Sequence, residues 1–279
     1  MRLGYNSNGW RAYPLNRASR DLAELGYEGL ELWCHPVHVD IMCGTPEDLA
    51  AARAAIVGGG LQVSNLHAGV VDLLGAGYEP TLMAARASDR RRRIDFLCAA
   101  IDAAGPLGTD LVTLHSGFAP PDLPARRAWD NLVDGMRRCL ERARARGVRL
   151  MFEPEPGMLV ESVTDFLRLA ADLDDDPALG LNLDVGHAQC VYEDAPAIIR
   201  ELGDRIGHVH VEDIADRVHR HLVPGEGSID FAAIWAALEE VGYSGFASVE
   251  LWDHADDPRA AASAAANVLA PLGAVTVHA

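Results

Sequence analysis

The segment Arg149–Pro154, RLMFEP, is a short apolar run that ends in a carboxylate and a proline. Three later segments repeat this pattern: GLNLD at 180–184, IGHVHV at 206–211 and ASVEL at 247–251. Short continuous runs rich in Val, Leu and Ile are typical of strands that are buried on both faces of a parallel sheet. These segments therefore predict successive parallel strands, each with an ionisable side chain at or near its C-terminal end.

Similar runs extend the pattern toward the N-terminus, and an amphipathic or Ala- and Arg-rich segment separates each run from the next. The predicted strands are Arg2–Tyr5, Gly29–Trp33, Gln62–Leu66, Leu111–Leu114, Arg149–Phe152, Gly180–Leu183, Ile206–Val211 and Ala247–Leu251. The predicted helices are Arg17–Leu25, Pro46–Val57, Arg90–Ala104, Ala125–Ala145, Thr164–Leu173, Ala195–Leu202, Phe231–Val241 and Asp257–Leu269. This alternation over 279 residues predicts an α/β fold, a single (β/α)₈ TIM barrel that covers residues 1–279, rather than an open doubly wound sheet.

The composition excludes several classes of function. All 24 basic residues are Arg, which rules out mechanisms that need a lysine amine, such as those of Schiff-base aldolases, pyridoxal-phosphate enzymes and P-loop NTPases. The net charge of −17 makes nucleic acid and anionic membranes unfavourable partners. The five cysteines are odd in number and scattered, and the N-terminus lacks the apolar core of a signal peptide. Together these features predict a cytoplasmic protein.

Polar or ionisable residues stand at the C-terminal ends of the predicted strands. In chain order they are Asn6, Glu31, His67, His115, Glu153, Asp184, His210 and Glu250. Active sites of (β/α)₈ barrels lie at this end, and burying such groups is costly unless they are paired or bind a cation. Glu153, Asp184, His210 and Glu250 belong to four consecutive strands, so their mixed oxygen and nitrogen donors predict a site for one divalent metal ion.

Five motifs carry a resemblance to a known family. They are Phe152-Glu153-Pro154, Leu183-Asp184-Val185-Gly186-His187, His210-Val211-Glu212-Asp213, Pro224-Gly225-Glu226-Gly227-Ser228-Ile229-Asp230 and Ser248-Val249-Glu250-Leu251. The sequence resembles the xylose-isomerase-like TIM-barrel sugar isomerases and epimerases, a superfamily that includes inosose isomerases, ketose 3-epimerases and endonuclease IV. The resemblance is specific from about Arg149 to Trp252 and looser before that segment.

The resemblance implies that Glu153, Asp184, His210 and Glu250 bind one Mn²⁺-, Co²⁺-, Mg²⁺- or Zn²⁺-type ion. It also implies that Glu153 and Glu250 are the catalytic pair, which moves a proton on the substrate carbon next to a metal-bound carbonyl. Such chemistry isomerises or epimerises a sugar, a sugar phosphate or a cyclitol. His187, Arg217 and Glu161 would then bind substrate oxygens, although an ordinary surface-loop position is an equal alternative for Arg217 and Glu161.

Four more histidines leave a second function open. His67 and His115 end predicted strands three and four, and His219 and His221 form an HxH pair in the loop before Pro224. With His187, they resemble the positions that endonuclease IV fills with the remaining ligands of a three-zinc cluster, except that His219 stands where that family has an Asp. The alternative, which we favour, is that these histidines hydrogen-bond to substrate hydroxyl groups.

Two hypotheses of function follow from these readings. The first is a metal-dependent isomerase or epimerase of a small polyol, and the second is a multi-zinc hydrolase of a small phosphoester with up to three Zn²⁺ ions. Related barrels often pair, so a homodimer is an expectation, although the sequence shows no interface.

The four consecutive arginines 90–93 on a predicted helix point around that helix, which favours a solvated face over a phosphate clamp.

Overall fold

Eight parallel strands form a closed barrel in the order β1 to β8, and β8 pairs with β1. In this computed structural model, which describes residues 1–273, the strands are β1 (Arg2–Asn6), β2 (Gly29–Trp33), β3 (Gln62–His67), β4 (Leu111–Leu114), β5 (Arg149–Phe152), β6 (Leu179–Asp184), β7 (Ile206–Val211) and β8 (Phe246–Val249). The predicted (β/α)₈ barrel is confirmed. Positions 274–279 of the predicted 1–279 domain lie outside the described residues.

Helices cover the outside of the barrel. They are α1 (Leu15–Glu24), α2 (Pro46–Gly58), α3 (Ala87–Leu107), α4 (Ala125–Arg146), α5 (Val163–Asp172), α6 (Val185–Cys190), α7 (Ala195–Leu202), α8 (Phe231–Glu240) and α9 (Pro258–Gly273). Side-chain caps fix several of their starts: the Thr45 hydroxyl accepts from Asp48 N at α2, and the Ser162 hydroxyl accepts from Asp165 N at α5. Gly147 has a left-handed φ of 67° and ends α4, a conformation that favours glycine.

The predicted elements differ from the structure mainly at their ends. Strands β1, β3 and β6 run one residue further and include Asn6, His67 and Asp184, whereas β8 ends at Val249, so Glu250 follows the strand. Helix α6 was not predicted, because it has only six residues and begins directly after β6. Its N-cap is Asp184, whose Oδ1 accepts a hydrogen bond from His187 N at 2.7 Å. One carboxylate therefore starts the helix that carries His187.

Among the helices of residues 1–273, none is both long and apolar enough to cross a bilayer. All five cysteines are free.

Candidate metal centre and its pocket

A cavity of about 270 Å³ opens at the C-terminal ends of the strands, where the barrel fold places active sites. Seven of the eight strand ends or βα connections contribute to its lining, which consists of Asn8, His67, Gly69, Val71, Tyr78, His115, Glu153, Glu155, His187, His219, Arg220, His221, Glu250, Trp252 and Asp253. The lining thus combines carboxylates and imidazoles with aromatic rings.

The four predicted metal ligands meet at the floor of this cavity. One ligand atom from each of Glu153, Asp184, His210 and Glu250 lies within 4.8 Å of the others, and all four residues are buried. His210 Nδ1 is 2.7 Å from Glu153 Oε1, 3.2 Å from Glu250 Oε2 and 3.9 Å from Asp184 Oδ2. The C-terminal ends of four strands therefore bring together side chains from positions 153 to 250 of the sequence.

The cluster fits a divalent cation. The Oδ2 atom of Asp184 is buried and has no hydrogen-bond partner among the described residues. Three buried carboxylates next to one imidazole repel one another unless positive charge is present. Mixed oxygen and nitrogen donors suit Mn²⁺, Co²⁺, Mg²⁺ or Zn²⁺. A bound cation would accept the Asp184 Oδ2 atom as a ligand and would neutralise part of the negative charge of the three carboxylates.

The ionisation of the cluster follows from its crowding. Burial opposes the charge on His210, but the neighbouring Glu153, Glu31 and Glu250 raise its pKa well above the ordinary value. Burial also opposes the charge on Glu250, yet contacts with His210, His67 and His221 hold the pKa of that carboxyl far below its usual range. The protonated His210 therefore offsets part of the negative charge of the neighbouring carboxylates.

A second layer of polar residues supports His210 from inside the barrel. Glu31 Oε2 accepts hydrogen bonds from His210 Nε2 at 2.8 Å and from His208 Nε2 at 3.0 Å, and Asn65 Nδ2 donates to Glu31 Oε1 at 2.9 Å. Because Glu31 binds Nε2, the Nδ1 atom of His210 faces the carboxylates of Glu153, Glu250 and Asp184. The prediction that Glu31 ends its strand at the rim was wrong, since it lies inside β2 and is fully buried.

Three histidines form a second group next to the metal cluster. Nitrogen atoms of His187, His219 and His221 lie within 4.8 Å of one another, and His219 Nε2 is 3.3 Å from His221 Nε2. His187 Nε2 is buried, has no hydrogen-bond partner among the described residues and lies 3.5 Å from Asp184 Oδ2, while its Nδ1 lies 3.1 Å from Pro154 O. Burial and the two other imidazoles lower the pKa of His219 to about 4, so this ring is neutral at physiological pH.

His67 and His115 also line the pocket, as predicted from their strand-end positions. His67 Nδ1 is hydrogen-bonded to Asn6 Nδ2 at 2.9 Å, and its Nε2 is 3.7 Å from Glu153 Oε2. Both ring nitrogens of His115 are buried and have no hydrogen-bond partner within residues 1–273. Burial lowers the pKa of His115 well below the ordinary value. Two neutral nitrogens are thus available to a ligand.

Arg217 and Glu161 lie outside this pocket. The Arg217 guanidinium stacks over the Tyr192 ring, 4.3 Å from its centroid, and faces a separate cavity that Asp216 also lines. Glu161 is exposed and accepts a hydrogen bond from Gly157 N at 3.1 Å. The structure therefore brings nine of the predicted site residues to the cavity or its floor and leaves these two aside.

Several pocket residues were missed because they lie on loops or follow a motif residue. Asn8 Nδ2 donates to Glu250 Oε1 at 2.6 Å. Glu155 lies next to Glu153 and His187, and burial and the neighbouring carboxylates raise its pKa well above the usual range. Trp252 and Tyr78 form aromatic walls. Only Glu155 had a sequence signal, the repeated carboxylate of Glu153-Pro154-Glu155.

Residues 19–272 match the family model of the xylose isomerase-like TIM barrel, so the chain belongs to this family. The fructoselysine 3-epimerase of Shigella flexneri is 26% identical over 261 residues, which cover 90% of each chain. The inosose dehydratase of Lacticaseibacillus casei is 34% identical over 139 residues, 44% of this chain and 46% of that enzyme. Among solved structures, a D-tagatose 3-epimerase-like protein has the same fold, with a TM-score of 0.80, 21% identity and coverage of 99% of this chain and 98% of that one.

Proposed function

We propose that this protein is a divalent-metal-dependent isomerase or epimerase of a sugar, a sugar phosphate or a cyclitol. One observation carries the proposal: Glu153 and Glu250 belong to the four-ligand cluster and also line the cavity in which a substrate would lie. The same two carboxylates can therefore approach both the cation and a carbon bound beside it. The relatives named as sugar epimerases support a reaction of this class.

In this proposal Glu153, Asp184, His210 and Glu250 hold the ion. A divalent ion there would supply Lewis acidity to a substrate carbonyl, which makes the neighbouring C–H more acidic. One of the two glutamates removes the proton from that carbon and the other returns a proton, which changes either the configuration or the position of the carbonyl. Asn6 and Asn8 both donate to Glu250 Oε1, so they fix the carboxylate that must meet the substrate.

The histidines of the pocket are proposed to bind the substrate. His67, His115 and His187 line the cavity, and the neutral ring of His115 can donate one hydrogen bond and accept another. Trp252 offers an apolar ring to a sugar face. A substrate role for Arg217 or Glu161 stays a prediction, and it requires that their loops rearrange toward the cavity.

The decisive experiment measures proton exchange at the substrate carbon. The metal-loaded protein is incubated in D₂O with a panel of ketohexoses, ketopentoses and inososes, and deuterium incorporation is followed by ¹H NMR. We expect exchange with at least one class, a loss of about 10²- to 10⁴-fold in turnover for Glu153→Gln and for Glu250→Gln, and no change for Glu141→Gln on the exposed face of α4. Near-normal turnover in both site variants would refute the acid–base assignment.

A second candidate is a multi-zinc hydrolase of a small phosphoester, and the group of His187, His219 and His221 favours it. Together with His67 and His115, these histidines could ligate two further Zn²⁺ ions beside the first. Metal content per chain separates the candidates. One Mn, Co or Mg per chain supports the isomerase, whereas two or three Zn with hydrolysis of bis(p-nitrophenyl) phosphate supports the hydrolase.

We further propose a small polyol, and neither nucleic acid nor a membrane, as the physiological partner. The net charge of −17 supports this choice, because such a surface repels polyanions. The cytoplasmic location also stays a proposal, and the five free cysteines are compatible with a reducing compartment. The homodimer is a prediction that light scattering of the purified protein would test.

A further inference from the structure

The loop between β3 and α3 carries an aromatic side chain into the pocket. Tyr78 stands edge-on against His115, with ring centroids 4.7 Å apart at 89°, and lies 5.8 Å from the Phe118 ring. In this position it lines the same cavity as Glu153 and Glu155. The loop that holds it is long, from residue 68 to residue 86, and contains no helix or strand.

The arginine run at the start of α3 fastens this loop. Arg93 is only 5% exposed, and it donates from Nη2 to the carbonyl of Tyr78 at 2.6 Å and from Nε to the carbonyl of Pro80 at 2.8 Å. Arg90 Nη1 donates to the carbonyls of Ala84 and Ala85, at 2.7 and 2.9 Å. The expectation of a solvated face for residues 90–93 is therefore wrong for Arg93.

Of the other two arginines of the run, Arg92 contacts the loop and Arg91 does not. Arg92 Nη2 donates to the carbonyl of Leu74 at 2.6 Å, so a third arginine also contacts the loop. Arg91 is exposed, and no hydrogen bond or ion pair involves its side chain among the described residues. Consecutive helix positions point in different directions, which explains why three side chains reach the loop and one does not.

Burying a guanidinium in this place is costly unless its donors are satisfied. Burial lowers the pKa of Arg93 to about 10, so the group is still charged at neutral pH. Its charge-assisted hydrogen bonds go to main-chain oxygens, including that of Tyr78 itself, and such bonds are stronger than neutral ones. The buried cation therefore stabilises one backbone conformation of the loop, the one that directs Tyr78 into the cavity.

The chemistry of the phenol suits a polyol. Burial, and to a smaller extent Glu155, Glu250 and Glu153, raise the pKa of Tyr78, so the hydroxyl is protonated at physiological pH. No protein group within residues 1–273 forms a hydrogen bond with this hydroxyl. It can therefore donate to a substrate oxygen and accept from a substrate hydroxyl.

We propose that Tyr78 is a substrate-contacting, specificity-determining residue, and that Arg93 is the positioning residue that holds it in the pocket. This inference rests on the proposed function, because it requires a polyol bound beside the metal cluster. Arg93 touches neither the cluster nor the cavity. Its charge helps to lower the pKa of His115, but its hydrogen bonds go to the loop carbonyls of Tyr78 and Pro80, so its positioning effect on the substrate is transmitted through the Tyr78 backbone.

A double-mutant cycle tests both roles. Tyr78→Ala, Arg93→Met and the double variant are compared with Arg91→Met, the matched control from the same helix, using the panel ketose that gives turnover. We expect each single variant to raise KM about tenfold, the equivalent of ~1.4 kcal/mol and near the upper end for one neutral hydrogen bond, with kcat and metal content nearly unchanged. Because Arg93 acts through Tyr78, the double variant should have the KM of Tyr78→Ala alone.

Hydrogen–deuterium exchange provides a readout that is independent of activity. Amides of segment 74–85 should exchange faster in Arg93→Met than in the wild type, and should not change in Arg91→Met. If Arg93→Met fails to fold, Arg92→Met and Arg90→Met test the fastening of the loop, and Tyr78→Ala tests the contact with substrate.

Each contrary result has a separate meaning. Turnover with an unchanged KM in Tyr78→Ala would refute the substrate role of Tyr78. Unchanged exchange in segment 74–85, or additive effects in the double variant, would refute the positioning role of Arg93. Absence of turnover by the wild-type protein on the whole panel would overturn the proposed function, and with it the substrate role of Tyr78.

Discussion

Replacing Glu31 by Gln tests whether the polar interior of the barrel supports the metal centre. Three donors converge on the two oxygens of this carboxylate: the Nε2 atoms of His208 and His210 on Oε2, and Asn65 Nδ2 on Oε1. A glutamine of the same shape has one oxygen and one NH₂ group. Its NH₂ group must therefore face either Asn65 Nδ2 or the imidazole pair, and one of these contacts is lost.

The expected magnitude follows from the role of the lost contact. The carboxylate of Glu31 fixes the Nε2–H form of His210 and increases the basicity of Nδ1, the atom directed at the other ligands. Loss of such an outer partner typically weakens metal binding about 10- to 100-fold, which corresponds to ~1.4–2.7 kcal/mol. The four direct ligands remain, so we expect weaker binding rather than abolished binding.

Metal affinity is measured by competition with a chromogenic chelator for Mn²⁺, Co²⁺ and Zn²⁺. Glu28→Gln is the matched control, because Glu28 is exposed and lies one residue before β2. Circular dichroism and the thermal midpoint of each apo-protein establish that the fold is retained. The reasoning is refuted if Glu31→Gln binds all three ions as tightly as the wild type, or if Glu28→Gln weakens binding equally.

Three further perturbations test the surroundings of the site. Gly186→Ala should destabilise the protein by about 1–3 kcal/mol in urea unfolding, because a Cβ would overlap the Glu212 carboxylate, whereas Gly58→Ala has open space and should not destabilise it. Asp213→Ala should lower the free energy of unfolding by about 3 kcal/mol or more. The reason is that this buried carboxylate accepts hydrogen bonds, at 2.8–3.1 Å, from four backbone amides within residues 214–229. In the metal-free protein the raised pKa of His210 contributes stability that is fully present below about pH 6.5 and is lost as the pH rises through the folded value. The unfolding temperature of the apo-protein should therefore decrease as the pH rises above about 6.5. Saturating metal should suppress this decrease.

The convergence of Glu153, Asp184, His210 and Glu250 could be predicted because, in a barrel, the position of a residue along the sequence fixes the face on which it lies. Each apolar run identifies a strand, and all parallel strands of a closed barrel end at the same face. Glu153 and Asp184 each lie at, or directly after, the end of such a run, so the fold alone brings them together. No knowledge of loop conformation is needed for this step.

Loop residues could not be placed in the same way. Arg217 is only seven positions beyond His210, but the chain turns sharply at Asp216 and Arg217, whose φ values are 54° and 57°. This left-handed turn directs the guanidinium to Tyr192, which also has a positive φ of 66°. Non-glycine residues seldom adopt this conformation, so spacing along the sequence gives no hint of it.

Glu31 was misplaced for a different reason, which concerns strand register. The pairing of β2 with β3 shifts between Leu30 and Glu31, and that of β6 with β7 shifts between Leu181 and Asn182. An irregularity of this kind re-aims the side chains beyond it, and such features occur next to active sites. Side-chain alternation along one strand cannot reveal a shift that exists only relative to its neighbour.

The irregularities lie next to Glu31, which supports His210, and next to Asn182, whose Nδ2 atom is 3.2 Å from His210 Nδ1. A regular barrel interior is filled mainly by branched apolar residues, which would offer His210 no polar partner. The two register shifts therefore occur at the residues that hold His210 in place.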